Sequence, residues 1–163
     1  MHHLGEDAIY TLVENVRSLY NVGAIFRTAD GAGVARLFLT GITGTPPHRE
    51  IRKVALGAEE RVPWEYHRDS ADVVARLKAE NVQIVALETV AEAVVYYDAP
   101  YRFPLCLVVG HEFEGVRRET LAQADLIIKI PMYGSKDSLN VAVAYGIAVY
   151  QITRIRNQMK GAA

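Results

Sequence analysis

The sequence predicts an α/β fold: a single-domain, mainly parallel sheet flanked by helices. Two observations predict it. Short apolar runs alternate with segments of helical period, the pattern of strands joined by crossover helices. The 163 residues are half apolar and 23% charged, enough to bury one core and too apolar for disorder.

Ala8 to Glu14 (AIYTLVE) reads as the first strand. Val22, Ile25, Phe26 and Ala29 then recur at i, i+3, i+4 and i+7, one face of a helix that Gly31 and Gly33 stop. Ala35 to Thr40 is the next strand, and Gly41 to Pro47 (GITGTPP) a loop by composition. A short helix through Arg49 to Leu56 and a strand near Trp64–Tyr66 follow. Ser70 is the predicted N-cap of a helix reaching Ala79, with Val73, Val74 and Leu77 inward. Val82 to Leu87 and Pro104 to Val109 are buried-strand runs, Val116 to Ala122 a helix, and Leu126 to Ile130 a last strand. A long helix runs from Ser138 to about Met159. Its first half is apolar nearly all round and requires cover on most sides, for which a second subunit is a natural source.

Composition excludes several classes. Eighteen Lys and Arg against nineteen Asp and Glu leave a net charge of -1, so nucleic-acid binding requires a local basic face. The lone Cys106 forms no intrachain disulfide and no Cys-rich zinc site. The N-terminus carries acids where a signal peptide has its apolar core, and Val141 to Val149 is far shorter than the ~20 residues of a membrane span. A cytoplasmic protein with no membrane contact is expected. His2 and His3 read as a flexible or cloning-derived end rather than a metal pair. His48, His67 and His111 lack metal-ligand spacing, so no metal site is expected. Gly31-Ala32-Gly33 lacks the third glycine and the preceding strand of a dinucleotide fingerprint, and no Walker A, H-E-x-x-H or G-x-S-x-G sequence is present.

Three segments adjoining strand ends carry chemistry, in the place where open α/β sheets bind ligands. In Asn21-Val22-Gly23-Ala24-Ile25-Phe26-Arg27, spacing leaves two readings. Asn21 and Arg27 either reach toward the sheet edge or serve as a plain N-cap and a solvated charge. In Gly110-His111-Glu112-Phe113-Glu114-Gly115, two glycines bracket a turn after a buried strand. Glu112 either accepts from a substrate or an arginine, or caps the following helix. From Ile130-Pro131-Met132 the chain passes through a glycine-containing loop to Ser138-Leu139-Asn140. There a helix N-terminus offers free N–H groups, and Ser138 serves the site or only the cap.

Together these segments resemble the TrmH/SpoU family of RNA ribose 2′-O-methyltransferases, in the SPOUT superfamily. N-x-G-x-x-x-R is matched by Asn21, Gly23 and Arg27; G-x-E-x-x-G by Gly110, Glu112 and Gly115; and I-P-M with S-L-N by residues 130–132 and 138–140. The resemblance implies a C-terminal trefoil knot, an S-adenosyl-L-methionine site within it, and a homodimer. It places the adenosine near Leu87, Gly110, Ile130 and Leu139, with Ser138 and Asn140 beside them. It implies methyl transfer to a ribose 2′-hydroxyl of tRNA or rRNA, with Arg27 catalytic and Asn21, Glu112 and Asn140 orienting it and the nucleotide. A guanidinium stays protonated at neutral pH, so holding the 3′-phosphate and polarising the hydroxyl suit it better than removing a proton. His111, outside the motif, is a second candidate proton acceptor.

Cationic contacts to RNA are expected from Arg17, Arg27, Arg49, Arg52, Lys53 and Arg61, and from Arg154, Arg156 and Lys160, a trio that equally suits a solvated helix end. No separate RNA-binding domain is expected in residues 1–163, so recognition falls to the chain's own loops, Thr40 to Leu56 foremost, or to a helper protein. Two other readings are a knotted RNA- or protein-binding module without turnover, and a base-methylating knotted enzyme.

Overall fold

A computed structural model describes residues 5–161, and the His2–His3 pair lies outside them. The apolar runs form a seven-stranded sheet. Its strands are β1 (Ile9–Glu14), β2 (Arg36–Thr40), β3 (Trp64–His67), β4 (Gln83–Leu87), β5 (Val94–Val95), β6 (Leu105–Val109) and β7 (Leu126–Lys129). The order is β3-β2-β1-β6-β4-β7-β5, with every strand pairing parallel. A parallel sheet is covered on both faces, which is why its strands read as unbroken apolar runs.

Alternate residues of the strands feed the two cores. Ile9, Val13, Leu37, Leu39, Val85, Leu107 and Val109 pack under α1 (Leu19–Ala32), α2 (Arg49–Ala55) and α5 (Val141–Gly161). Tyr10, Leu12, Phe38, Ile84, Ala86 and Val108 pack under α3 (Ser70–Ala79), while Val116 and Leu121 bring α4 (Arg118–Ala122) to the same face. Gly23 lets α1 and α2 touch: a Cβ there would lie 2.7 Å from the Ile51 carbonyl oxygen. Tyr145, fully buried, joins α5 to β1 through a 2.8 Å hydrogen bond between its hydroxyl and that of Thr11.

Three predicted caps move. Asp69, not Ser70, caps α3, accepting from the Ala71 N–H at 3.0 Å, while the Ser70 hydroxyl bonds that of Thr40 at 2.7 Å. Ser18 caps α1, accepting from the Asn21 N–H, so Asn21 is not an N-cap. The last helix begins at Val141 rather than Ser138, and Asn140 caps it: its Oδ1 accepts from the Ala142 and Val143 N–H groups at 2.9 and 3.2 Å. The α4 helix starts at Arg118 rather than Val116, whose buried N–H is committed to Glu88 at 2.8 Å. β7 ends at Lys129, leaving Ile130 in the loop beyond it. β5 has only two residues, too few for a periodic signal. No described helix is long and apolar enough to cross a membrane.

Candidate active site

β6, β4 and β7 are neighbours, so the loops leaving their carboxyl ends meet around one pocket. Leu87, Gly110, Ile130 and Leu139 all line it, with Glu112, Ser138, Met132 and Val141. The turn after β6 is tight: His111 and Gly115 exchange backbone hydrogen bonds of 3.1 and 2.9 Å. Gly110 is needed there for close approach, since a Cβ would lie 2.5 Å from the Gly115 backbone. From Pro131 to Leu139 the backbone makes no backbone–backbone hydrogen bond among the described residues. Its polar groups are thus free to satisfy a ligand.

One hydrogen-bonded chain links the three predicted segments. Asn140 Nδ2 donates to Asn21 Oδ1 at 3.2 Å, and Asn21 Nδ2 donates to Glu112 Oε1 at 3.2 Å. The amide orientations follow from the cap: with Asn140 Oδ1 accepting from α5, only its Nδ2 is left to donate, which fixes Asn21 in turn. Glu112 also accepts from the Ser18 N–H at 2.9 Å and the Arg17 N–H at 3.1 Å. It therefore sits at the N-terminus of α1, where a negative charge is favoured, and does not cap α4. Burial alone would raise its pKa. The N–H groups of Ser18, Glu112 itself and Arg17, with the Asn21 amide, outweigh burial and hold the carboxyl below its ordinary value.

Arg27 stands apart from this network. Six residues beyond Asn21, its side chain leaves α1 about 240° round and about 9 Å along the axis. It is exposed and has no side-chain partner among the described residues. Gly31, one turn further on that face, abuts Tyr150 of α5: a Cβ there would lie 2.6 Å from the tyrosine oxygen. Gly31 thus borders an exposed apolar stripe of α5, in which Val143 and Tyr150 are 53% and 52% exposed and Ile147 lies between them. Ser138 is exposed at the pocket and caps nothing. His111 is unsuited as a proton acceptor. Its Nδ1 already accepts from the Phe113 and Glu114 N–H groups at 3.1 Å each, which leaves Nε2 carrying the proton in the neutral ring.

Two carboxylates beside these loops escaped the sequence reading. Glu88 lines the pocket and holds the Val116 N–H, while buried Glu14 accepts from the Arg117 N–H at 2.8 Å and the Thr120 hydroxyl at 2.6 Å. Each is the acid that ends or directly follows a buried strand, a signal the sequence does offer. The loop after β2 is pinned by the Thr43 hydroxyl, which accepts from the Val16 N–H and donates to the Val13 carbonyl, both at 3.1 Å.

Arg17, Arg27, Arg49, Arg52 and Arg61 are exposed and free of side-chain partners among the described residues. Lys53 pairs with Glu50 at 3.4 Å, and Lys160 pairs with Asp7. Among the described residues, His48 Nδ1 caps α2 and the His67 ring is hydrogen-bonded to Glu65. Among the described residues no cluster of three or more His, Cys, Asp or Glu is arranged to hold a metal.

A parallel α/β sheet whose neighbouring strands end in a loop-built, half-apolar pocket, beside an Asn–Asn–Glu network, defines the class of protein. The model of the SpoU rRNA Methylase family matches residues 8–150, and the chain belongs to that family. It is 37% identical over 144 residues to the tRNA (guanosine(18)-2′-O)-methyltransferase of Escherichia coli K12, covering 88% of this chain and 62% of that protein. Over 152 residues it is 37% identical to the 23S rRNA (guanosine-2′-O-)-methyltransferase of Vibrio parahaemolyticus, covering 93% of this chain and 61% of the relative. The crystal structure of an AdoMet-bound rRNA methyltransferase from Sinorhizobium meliloti superposes with a TM-score of 0.88 at 32% identity, over 94% of this chain and 58% of that one. The chain thus spans about three-fifths of the length of these curated relatives.

Proposed function

We propose that this chain is an S-adenosyl-L-methionine-dependent RNA methyltransferase that methylates a ribose 2′-hydroxyl of tRNA or rRNA in the cytoplasm. The observation that carries the reading is the Asn140–Asn21–Glu112 network beside the pocket, formed by the motif residues of a SpoU family chain. The residues present fit the cofactor. Leu87, Ile130 and Leu139 give apolar walls, Gly110 leaves the backbone open, and the free backbone of the loop beyond β7 supplies polar partners for an adenosine. When bound, S-adenosyl-L-methionine supplies a methyl group on a sulfonium, already a good leaving group.

The protein's own task is then positioning. Asn21, Glu112 and Asn140 hold the start of α1 and the start of α5 at one fixed separation, and Ser138 faces the nucleotide from the loop. Arg27 holds the phosphate 3′ of the target and polarises the ribose hydroxyl. That role requires a second copy of the chain. Arg27 takes no part in its own protomer's network, and Gly31, one turn beyond it, abuts Tyr150 in the apolar stripe of α5, which a homodimer would cover. The trefoil knot belongs to the same reading, since it would bring the loops after β4, β6 and β7 together. The free arginines at positions 17, 49, 52 and 61 are the cations offered to phosphates.

Transfer of labelled methyl from S-adenosyl-L-methionine to bulk tRNA, and separately to rRNA, followed by digestion to nucleosides, tests the reading. A 2′-O-methylated nucleoside that disappears with Arg27→Ala is expected. A base-methylated nucleoside would move the chain to the base-methylating class. Cofactor binding without transfer to either pool would favour a silent binding module. Sedimentation at micromolar protein is expected to give twice the 18.1 kDa chain mass, and a stable monomer would remove the shared site.

A further inference from the structure

The turn that carries Glu112 also carries Phe113, whose ring is 90% exposed although it lines the mouth of the pocket. Tyr133, next to the pocket residue Met132 on the opposing loop, is 88% exposed. Both rings thus stand in solvent at loops that build the pocket. The turn itself needs only a backbone N–H at position 113, which His111 Nδ1 accepts, and a polar residue would supply that equally. The loop is nonetheless fixed: the His111–Gly115 bridge closes it, and the His111 ring lies 6.1 Å from that of Phe113 at 48°. A rigid backbone therefore presents a ring that the rest of the protomer leaves uncovered. Arg17, whose backbone N–H is held by Glu112, adds a free guanidinium on the adjoining segment.

We infer that Phe113 is the stacking platform for the base of the nucleotide to be methylated, held unstacked from its neighbours in the RNA. The inference rests on the RNA methyltransferase reading and deepens it. A flat apolar face beside a cation matches the two chemical parts of a nucleotide, a π-face and a phosphate. The ring is adjacent in sequence to Glu112, so a base stacked on it leaves its ribose beside the Asn21–Glu112–Asn140 network. Every base has a π-face, so this contact fixes position and tolerates any base identity. Among the large apolar lining residues Phe113 is the most open, 90% exposed against 37% for Leu139, so it offers a face to the solvent side of the pocket while Leu87 and Ile130 are more buried.

The test measures binding of the full chain to bulk tRNA and to rRNA at low and moderate salt. Phe113→Ala is expected to weaken RNA affinity roughly 5- to 150-fold, the range for loss of one base–aromatic stack. The factor is expected to be the same at both salt concentrations, because the number of phosphate contacts does not change. Phe113→Trp is expected to retain affinity, and its added indole emission to be quenched by RNA. Wild-type protein, with Trp64 as its single tryptophan, provides the baseline. S-adenosyl-L-methionine affinity by calorimetry and the sedimentation coefficient are expected to stay at wild-type values in both variants. Unchanged RNA affinity in Phe113→Ala overturns the proposal. A parallel loss of cofactor affinity overturns it by making Phe113 a cofactor wall, and dimer dissociation by making it a seat for the second copy. If wild-type protein binds neither RNA, the underlying RNA reading fails too; if wild type and Phe113→Ala bind and methylate alike, only the stacking role fails.

Discussion

Glu112 and Glu65 are both carboxylates held below their ordinary pKa, yet they do opposite things. Glu65 lies on the edge strand β3 between two guanidiniums, Arg36 at 2.7 Å and Arg76 at 3.0 Å, with the His67 ring at 3.0 Å. Burial pushes its pKa up, and the hydrogen bonds from Arg76, His67 and Arg36 overcome that and bring it to about 2. Arg76 is further occupied above the Phe38 ring, 5.5 Å from its centre. This cluster consumes every charge it contains. Glu112 takes only neutral donors: besides its own N–H, two backbone N–H groups and an amide from residues 91 to 95 positions away. It ties distant segments together without using a cation, and leaves Arg17 and Arg27 free. A carboxylate satisfied by its neighbours' charges stabilises an edge; one satisfied by remote neutral groups organises a site.

Glu112→Ala is expected to have the largest effect. It strips the acceptor from three donors, so the unfolding free energy in urea should fall by about 2–3 kcal/mol. Displacing the start of α1 should also cut methyl transfer about 100-fold. A variant that loses the stability and keeps the transfer would break the contrast. Asn140→Asp separates cap from network: it keeps the oxygen that caps α5, so the ~1 kcal/mol of the cap should remain in the melt. It loses the donor to Asn21, and transfer should fall about tenfold. The smallest effect is expected at the edge. Glu65→Gln should cost at most about 1 kcal/mol, because the cluster is partly exposed, and should leave transfer intact. Its signature is in pH. The folded pKa of Glu65 is depressed, so the unfolded chain binds more protons in acid, and the stabilisation is lost as pH falls. Wild-type stability should therefore drop between about pH 4.3, the unfolded carboxylate value, and about 2, and Glu65→Gln should flatten that slope.

The cap positions show how far local sequence reaches. At Asp69-Ser70, Ser18 with Asn21, and Ser138 with Asn140, two competent caps stand within three residues. Ser70 and Asn21 lose the cap because the fold needs their side chains elsewhere, on Thr40 and on Glu112. Asn140 takes it because one amide serves both purposes, its oxygen capping α5 and its nitrogen holding Asn21. No pattern within a helix carries that information.

Period and composition were enough for the parallel α/β class and six of the seven strands, because a sheet covered on both faces writes unbroken apolar runs into its strands. The family resemblance carried by three short motifs, and not period or composition, pointed to Leu87, Gly110, Ile130 and Leu139, four residues that line one pocket. Only the tertiary structure decided that Glu112 faces the start of α1 rather than α4, that His111 has no free acceptor, and that Arg27 stays exposed outside the network of its own protomer. Those outcomes depend on which strand ends become neighbours, and hydrogen-bond partners about ninety residues apart leave no periodic trace in the chain that joins them.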